Sequence, residues 1–444
     1  YEEEAARYLK KPWDARDDYI SIILNRSQKG LDNFFIRHAM RALSRDERVR
    51  VLKLLEMQRN TMLMYTSCGW FFDEVSGIET VQIMQYASRV MQLAKDLQGI
   101  PLEPEFMDML KRAPSNKFKN GADVYEELVR PAGLELYRVG AHYGISSIFE
   151  EYPEEVKIYC YSARSERYDV TEAGRQKLIT GKVSIVSEVT CEKRTLSFAV
   201  LHLGDHNINA GVSDFVSEEA YLTMRQGLIK AFDNGDIADV IRVIDNFFGE
   251  HTYTLRHLFK DQQRRIAGQL LQMTYEGIDA LYRQIYENNY AIMNFFQSLN
   301  IPVSKLFIGA AEQVINTDLK RLFEVEDMDV ERLSVLISEV KKWHLKIDFV
   351  AIGYIASMRI NSMMETFSHK YEEIELIDKI EGSLKLLTSL PLSLDLWKAQ
   401  NIYFSIGKSI YKAMKERAER GDVISRKWIE GFRKLGYYLR VRFL

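Results

Sequence analysis

In the run CGWFFDEVSG, residues 68–77, three large aromatics stand beside two acids: Trp70, Phe71 and Phe72, then Asp73 and Glu74. Together these types can bind a sugar. An indole face suits the C–H-rich face of a pyranose, and a carboxylate accepts two hydrogen bonds from neighbouring hydroxyls. The same residues can equally close a helix corner, the aromatics plugging the core and Asp73 and Glu74 capping the next helix. Residue types alone leave both readings open.

A second group lies in LHLGDHNINAG, residues 201–211. On an extended chain positions 202, 204 and 206 share a side, so His202 and His206 could converge on a metal with Asp205 as a weaker third ligand. No other His or Cys pair lies at ligand spacing, and no metal or cofactor is assigned. The run reads better as a strand-end loop whose polar side chains bond its own backbone or face a cleft; Asp205 and His206 are the candidates for the cleft. His142, in RVGAHYGISS, sits among small residues on a helical pattern and reads as a close helix contact. There is no G-x-G-x-x-G after a strand and no phosphate-loop Lys. Paired carboxylates about 5 Å apart, as a retaining glycosidase needs, have no diagnostic pattern here.

The elements that must position these groups follow from hydrophobic period. Residues 1–152 read as helical: Val51, Leu54, Leu55, Met62 and Tyr65 keep helical spacing, as do Met84, Ala87, Met91 and Ala94. Ser76 and Glu79 fit a capping box that starts the second of these helices, and Gly69 is a natural end for the first. A further helix is expected from Ala122 to Phe149, bent at Pro131. From 153 to 215 the period changes to two: EVKIYCYSA, KVSIVSEVTC and TLSFAVLHL read as strands, with Glu192-Lys193-Arg194 as a hairpin tip. From 216 to 444 the chain returns to helix in segments at 216–232, 236–248, 263–299, 304–322, 330–343, 348–368, 371–388, 394–418 and 424–436, without a fixed repeat. The expected fold is mostly α, a multi-helix bundle with a small antiparallel β-sheet insertion.

Composition excludes several classes. The 444 residues carry 60 basic and 63 acidic side chains, a net charge of -3 that suits neither nucleic acid nor a membrane surface. No apolar run is long enough to span a bilayer. Three cysteines in no paired spacing suit a reducing cytoplasm, where the Asn25-Arg26-Ser27 sequon has no use. The chain opens on YEEEAARYLKKPWDARDDY without Met and reads as a piece of something longer.

The run EMQRNTMLMYTSCGWFFDEVSGIETVQIMQYASRVMQLA resembles the uncharacterised C-terminal region of family 57-like glycoside hydrolases, as do PWDARDDYISIILNRS, ELVRPAGLELYRVGAHYGISSIF and LHLGDHNINAGV. The resemblance spans nearly the whole chain and is closest over 10–100 and 120–215. It implies a catalytic barrel upstream of Tyr1, carrying the nucleophile and the acid/base, so that this chain alone lacks the catalytic carboxylates. It also implies a helical region that closes over the cleft and contributes an aromatic-plus-acid motif. WFFDE stands at the place of that motif, although here the acids follow the aromatics. Trp70 and Phe71 would then stack on an oligosaccharide or polysaccharide of the α-glucan kind, and Asp73 and Glu74 would hold hydroxyls. The alternative is a structural or protein-interaction helical module with no sugar site.

Overall fold

The computed structural model describes residues 1–442. The chain forms two compact units, Tyr1–Leu270 and Leu271–Leu444. It is mostly helical with one six-stranded antiparallel sheet.

The sheet is the centre of the first unit. Its strands β1 (Glu155–Ile158), β2 (Tyr161–Ala173), β3 (Gln176–Ser187), β4 (Lys193–His202), β5 (Ile208–Asp214) and β6 (Thr252–Tyr253) lie side by side in chain order. Alternation along β4 decides what covers each face. Leu196, Phe198 and Val200 pack with the helix Leu136–Ser146, whereas Ala199 and Leu201 pack with the helices Glu218–Asp233 and Ile237–Phe248. Both faces are therefore dry, which is why β4 reads as a nearly unbroken apolar run. The small residues around His142 explain the close approach on the first face. A Cβ on Gly140 would stand 2.7 Å from Leu196, and one on Gly144 3.0 Å from Phe198.

The N-terminal helices form a layer with its own core, in which Phe34, Leu52 and Leu54 are buried. Its main helix, Arg45–Leu63, starts from a capping box: Ser44 Oγ accepts from the Glu47 amide, and the Glu47 carboxylate accepts from the Ser44 amide. This helix packs along the helix Ile78–Gln98.

The second unit is helical throughout its described residues. It contains the later turns of the helix Lys260–Ser298 and six helices from Lys305–Glu324 to Val423–Tyr438. Its core centres on Trp428 stacked on Phe432, with ring centroids 4.6 Å apart, and on Phe432 stacked on Tyr403 at 4.1 Å. Among the described residues no helix is long and apolar enough to cross a membrane.

The helices expected after residue 216 are present, most within a few residues of the expected limits; Val330–Trp343 coincides with its expected range. The changes of period at 152 and 215 do not mark the edges of the compact units, because the helices flanking the sheet on both sides share its core. Several local expectations are corrected. The helix Arg45–Leu63 stops before Gly69, and Cys68–Phe71 forms a separate turn. The helix Ile78–Gln98 is capped by Gly77 with no side-chain bond, so Ser76 and Glu79 form no capping box. The stretch 122–149 is broken where Pro131 removes an N–H and restricts the residue before it. A π turn (Tyr125–Val129) and a 3-10 turn (Arg130–Ala132) precede a new helix at Leu136. EVKIYCYSA is two strands folded at Tyr159, whose φ of 53° is left-handed, and the tip between β3 and β4 spans residues 188–192.

Candidate functional site

The aromatic corner faces solvent. Trp70 is 74% exposed, Phe71 70% and Phe72 50%, so the three rings do not plug the core. Gly69 lets the corner lie against the helix Ile78–Gln98, since a Cβ there would stand 2.8 Å from Ile83. Glu74 does the anchoring. Its carboxylate accepts from the Ser76 amide at 3.0 Å, the Ser115 hydroxyl at 2.5 Å and the Asn116 amide at 2.7 Å, tying the corner to the loop that follows the helix Glu103–Leu110. These bonds, the Ser115 hydroxyl first, bring its pKa down to about 2. Asp73 is exposed. Of the two acids, Asp73 is the more open to solvent.

The second candidate group stands elsewhere. Residues 203–207 turn between β4 and β5, with Gly204 at φ 104° and Asp205 at φ 49°. The turn is closed by Leu203 N to Asn207 O at 2.9 Å and by His202 Nε2 against the Asp205 carbonyl at 3.0 Å. His202 is buried and meets the Phe149 ring edge-on, whereas Asp205 and His206 point to solvent. The turn is not extended backbone, so His202 and His206 share no face. Among the described residues no group of three or more His, Cys, Asp or Glu side chains could hold a metal. The corner and this turn have different neighbours, and the structure does not bring them into one cluster.

The helix Ile78–Gln98, against which the corner lies, also walls a groove. Gln82, Gln85, Arg89 and Gln92, spaced three, four and three, form its polar stripe. Opposite stand Glu56, Arg59 and Asn60 of the helix Arg45–Leu63, with Tyr161 and Ser187 of the sheet as the third wall. The cavity measures about 310 Å³, and two further cavities of about 190 and 430 Å³ share Gln92 in their linings. Gln82 adjoins Ile83, the residue on which the aromatic corner rests, so the corner lies on the helix that forms one wall of the groove.

The back of this groove is built on a buried carboxylate. Glu56, 4% exposed, accepts from Tyr19 at 2.6 Å, from Arg26 at 2.8 Å and from Arg59 at 3.2 Å, and its carbonyl accepts from the Asn60 amide at 2.8 Å. Burial pushes the Glu56 pKa up, but the bonds from Tyr19 and Arg26 outweigh it and the net shift is downward. Glu56 is thus an ionised, fully engaged strut and no general acid. Cys160, also on this wall, has its thiol pushed up by burial, which disfavours the thiolate. The groove presents side-chain amides, two guanidinium groups and phenolic rings, all able to form hydrogen bonds; of the amides, Gln92 already accepts from Arg89 at 2.6 Å and donates to the Leu134 carbonyl at 3.2 Å.

A larger cavity, about 920 Å³, lies between residues 147–154 and strands β2 and β3. Four of its five lining acids are in ion pairs, Glu154 with Arg164 at 2.8 Å, Glu166 with Lys182 at 3.0 Å, Glu172 with Lys177 at 2.8 Å, and Glu150 with Arg265; Glu151 is the fifth. Neither Asp205 nor His206 lines it.

Comparison with known families adds one match. A family profile described as a domain of unknown function, DUF3536, covers residues 1–259. The chain belongs to the DUF3536 family. No curated protein and no solved structure matches it. The DUF3536 region contains the whole sheet, the helices on both of its faces, the aromatic corner and the groove, and it stops next to the helix Lys260–Ser298. The family segment thus nearly coincides with the first compact unit.

Sequence reasoning found the corner and missed the groove. Its signal was present in ETVQIMQYASRVMQLA, where amides and Arg recur opposite Met84, Ala87, Met91 and Ala94. A polar helical stripe is usually a solvated face, and only the sheet and the helix Arg45–Leu63 turn this one into a wall.

Proposed function

We propose that the chain is the helical accessory, substrate-cleft region of a cytoplasmic family 57-like glycoside hydrolase acting on an α-glucan or related polysaccharide. In this reading the catalytic barrel lies upstream in the same protein and supplies the two carboxylates that glycoside cleavage requires. The observation that carries the reading is the exposure of Trp70 and Phe71 on the turn that lies against the helix Ile78–Gln98, whose polar stripe walls the groove. The resemblance of the segment around CGWFFDE to family 57-like proteins supports it from the sequence side. Trp70 and Phe71 stack on sugar, Asp73 takes a hydroxyl pair, and Gln82 and Gln85 bind further hydroxyls along the groove.

Titration of the chain with malto-oligosaccharides, followed by calorimetry, tests this. Covering roughly 100 Å² of the indole face at about 25 cal/mol/Å² is worth about 2.5 kcal/mol, so Trp70→Ala is expected to weaken binding about 70-fold. Because the ring is exposed, the variant should keep its fold and its unfolding midpoint. The chain by itself is expected to hydrolyse no glycoside. Binding unchanged in Trp70→Ala, or absent in the wild type, would favour instead a structural or protein-docking role for the corner.

A further inference from the structure

Within the second unit, one face of the helix Lys260–Ser298 is apolar, regular and uncovered. Leu271, Ile278, Ile285 and Ile292 repeat every seven residues, and Tyr275, Tyr282, Asn289 and Phe296 repeat every seven residues between them. Steps of four and three alternate through eight positions, which is the 3.5-residue period of a coiled-coil seam. The adjoining row, Asp279, Tyr286 and Met293, about 100° further round the helix, is buried in the unit. Six of the eight seam positions are exposed, among them Leu271 at 53%, Tyr275 at 60%, Ile285 at 42% and Ile292 at 44%, while Asn289 and Phe296 are half-buried. Leu281 and Phe295, flanking it, are 62% and 58% exposed. An unpaired helix in water has no use for a period of 3.5.

We infer that this seam pairs with the same seam of a second copy of the chain, as a parallel, in-register two-stranded coiled coil. Three observations choose a second copy. None of the eight seam positions carries a charge, so superposing the face on itself opposes no like charges. The one polar seam residue, Asn289, is self-complementary, because an amide both donates and accepts. The six exposed seam side chains together with the flanking Leu281 and Phe295, each offering about 100 Å², amount to about 800 Å² per copy, the size of a standard stable interface. The same asparagine fixes direction. Parallel and in register, Asn289 meets Asn289 of the other copy, as a single polar residue in a seam does when it specifies register. Antiparallel pairing over the full seam sets Asn289 against Ile278 and buries an amide without a partner. The inference is independent of the sugar reading, which concerns only the first unit.

Sedimentation equilibrium on the whole chain at micromolar concentration should give twice the chain mass. The double substitution Ile278→Glu and Ile285→Glu should give a monomer, with dimer affinity lowered at least 100-fold. Both side chains are exposed, so the far-UV spectrum should be unchanged. In a Cys68→Ser background, Asn289→Cys should form a covalent dimer under mild oxidation, because parallel seam positions meet across the pair. A monomeric wild type overturns the inference, as does a dimer that survives both glutamates. A dimer in which the Asn289→Cys variant fails to cross-link overturns the parallel register.

Discussion

Replacing Glu56 by Gln removes one charge from the back of the groove while keeping shape. The carboxylate holds Tyr19, Arg26 and Arg59 together, and Arg26 in turn donates to the Val189 carbonyl at 3.0 Å, linking the helical layer to the loop after β3. Removing one partner of a sealed ion pair costs about 3–5 kcal/mol. This site is less sealed, since the Arg26 and Arg59 side chains keep 22% and 38% exposure, and Gln still accepts from Tyr19. A loss of about 2–3 kcal/mol at pH 7 is expected. The pH dependence gives an independent check. Glu56 has a folded pKa below its unfolded value, so its contribution is complete above about pH 4.3 and is lost as pH falls through the lower folded pKa. Urea unfolding of the first unit at pH 7 and pH 3.5 should show the gap between wild type and Glu56→Gln narrowing at acid pH. A gap under about 0.5 kcal/mol at pH 7, or one that does not narrow, would refute the assignment of Glu56 as an ionised strut.

Two further outcomes follow from the sheet. Gly211→Ala places a Cβ 2.1 Å from the Phe248 ring, closer than atoms can stand, and should cost about 1–3 kcal/mol, read as a lower melting temperature. His142 is 4% exposed and stacked on Phe259, and burial, followed by the Arg138 charge, pushes its pKa down to about 4. A neutral buried imidazole stabilises the fold fully above its unfolded pKa near 6.5, and this contribution is lost as pH falls toward 4. The His142 ring resonances should therefore show no titration between pH 7 and pH 5; a midpoint near 6.5 would contradict the burial.

Most helices were legible because their cause is local. Asp329 accepts from the amides of Glu331 and Arg332, and apolar residues at Leu333, Leu336, Ile337 and Val340 follow at helical spacing, so cap and period agree. Strands β2 and β5 were harder. β2 carries charged side chains along an exposed face, and β5, in NINAGVSD, contains Gly211 where Phe248 presses on the backbone. Neither reads as a β pattern until its neighbours are in place. Ser76 shows the converse error: its spacing to Glu79 satisfied a local rule, but Glu74 took the Ser76 amide and Gly77 became the cap.

The corner at residues 68–77 combines two roles that the sequence presents as one motif. An acid and a glycine fix it: Glu74 draws three donors from residues 76, 115 and 116, and Gly69 admits the Ile83 side chain. With the turn held by polar bonds, the rings are not needed for packing, and they add little to the hydrophobic free energy of folding because they stay in water. Three exposed aromatics in sequence also form an adhesive patch of the kind soluble chains seldom keep without a ligand or partner to cover it. The division can be tested within the motif itself. Glu74→Ala should loosen residues 115–118 and raise their amide exchange, whereas Trp70→Ala should leave exchange there unchanged and affect only what the ring touches. Equal effects of the two substitutions on exchange would mean that the indole is part of the scaffold, and the sugar-facing reading of the corner would lose its physical basis.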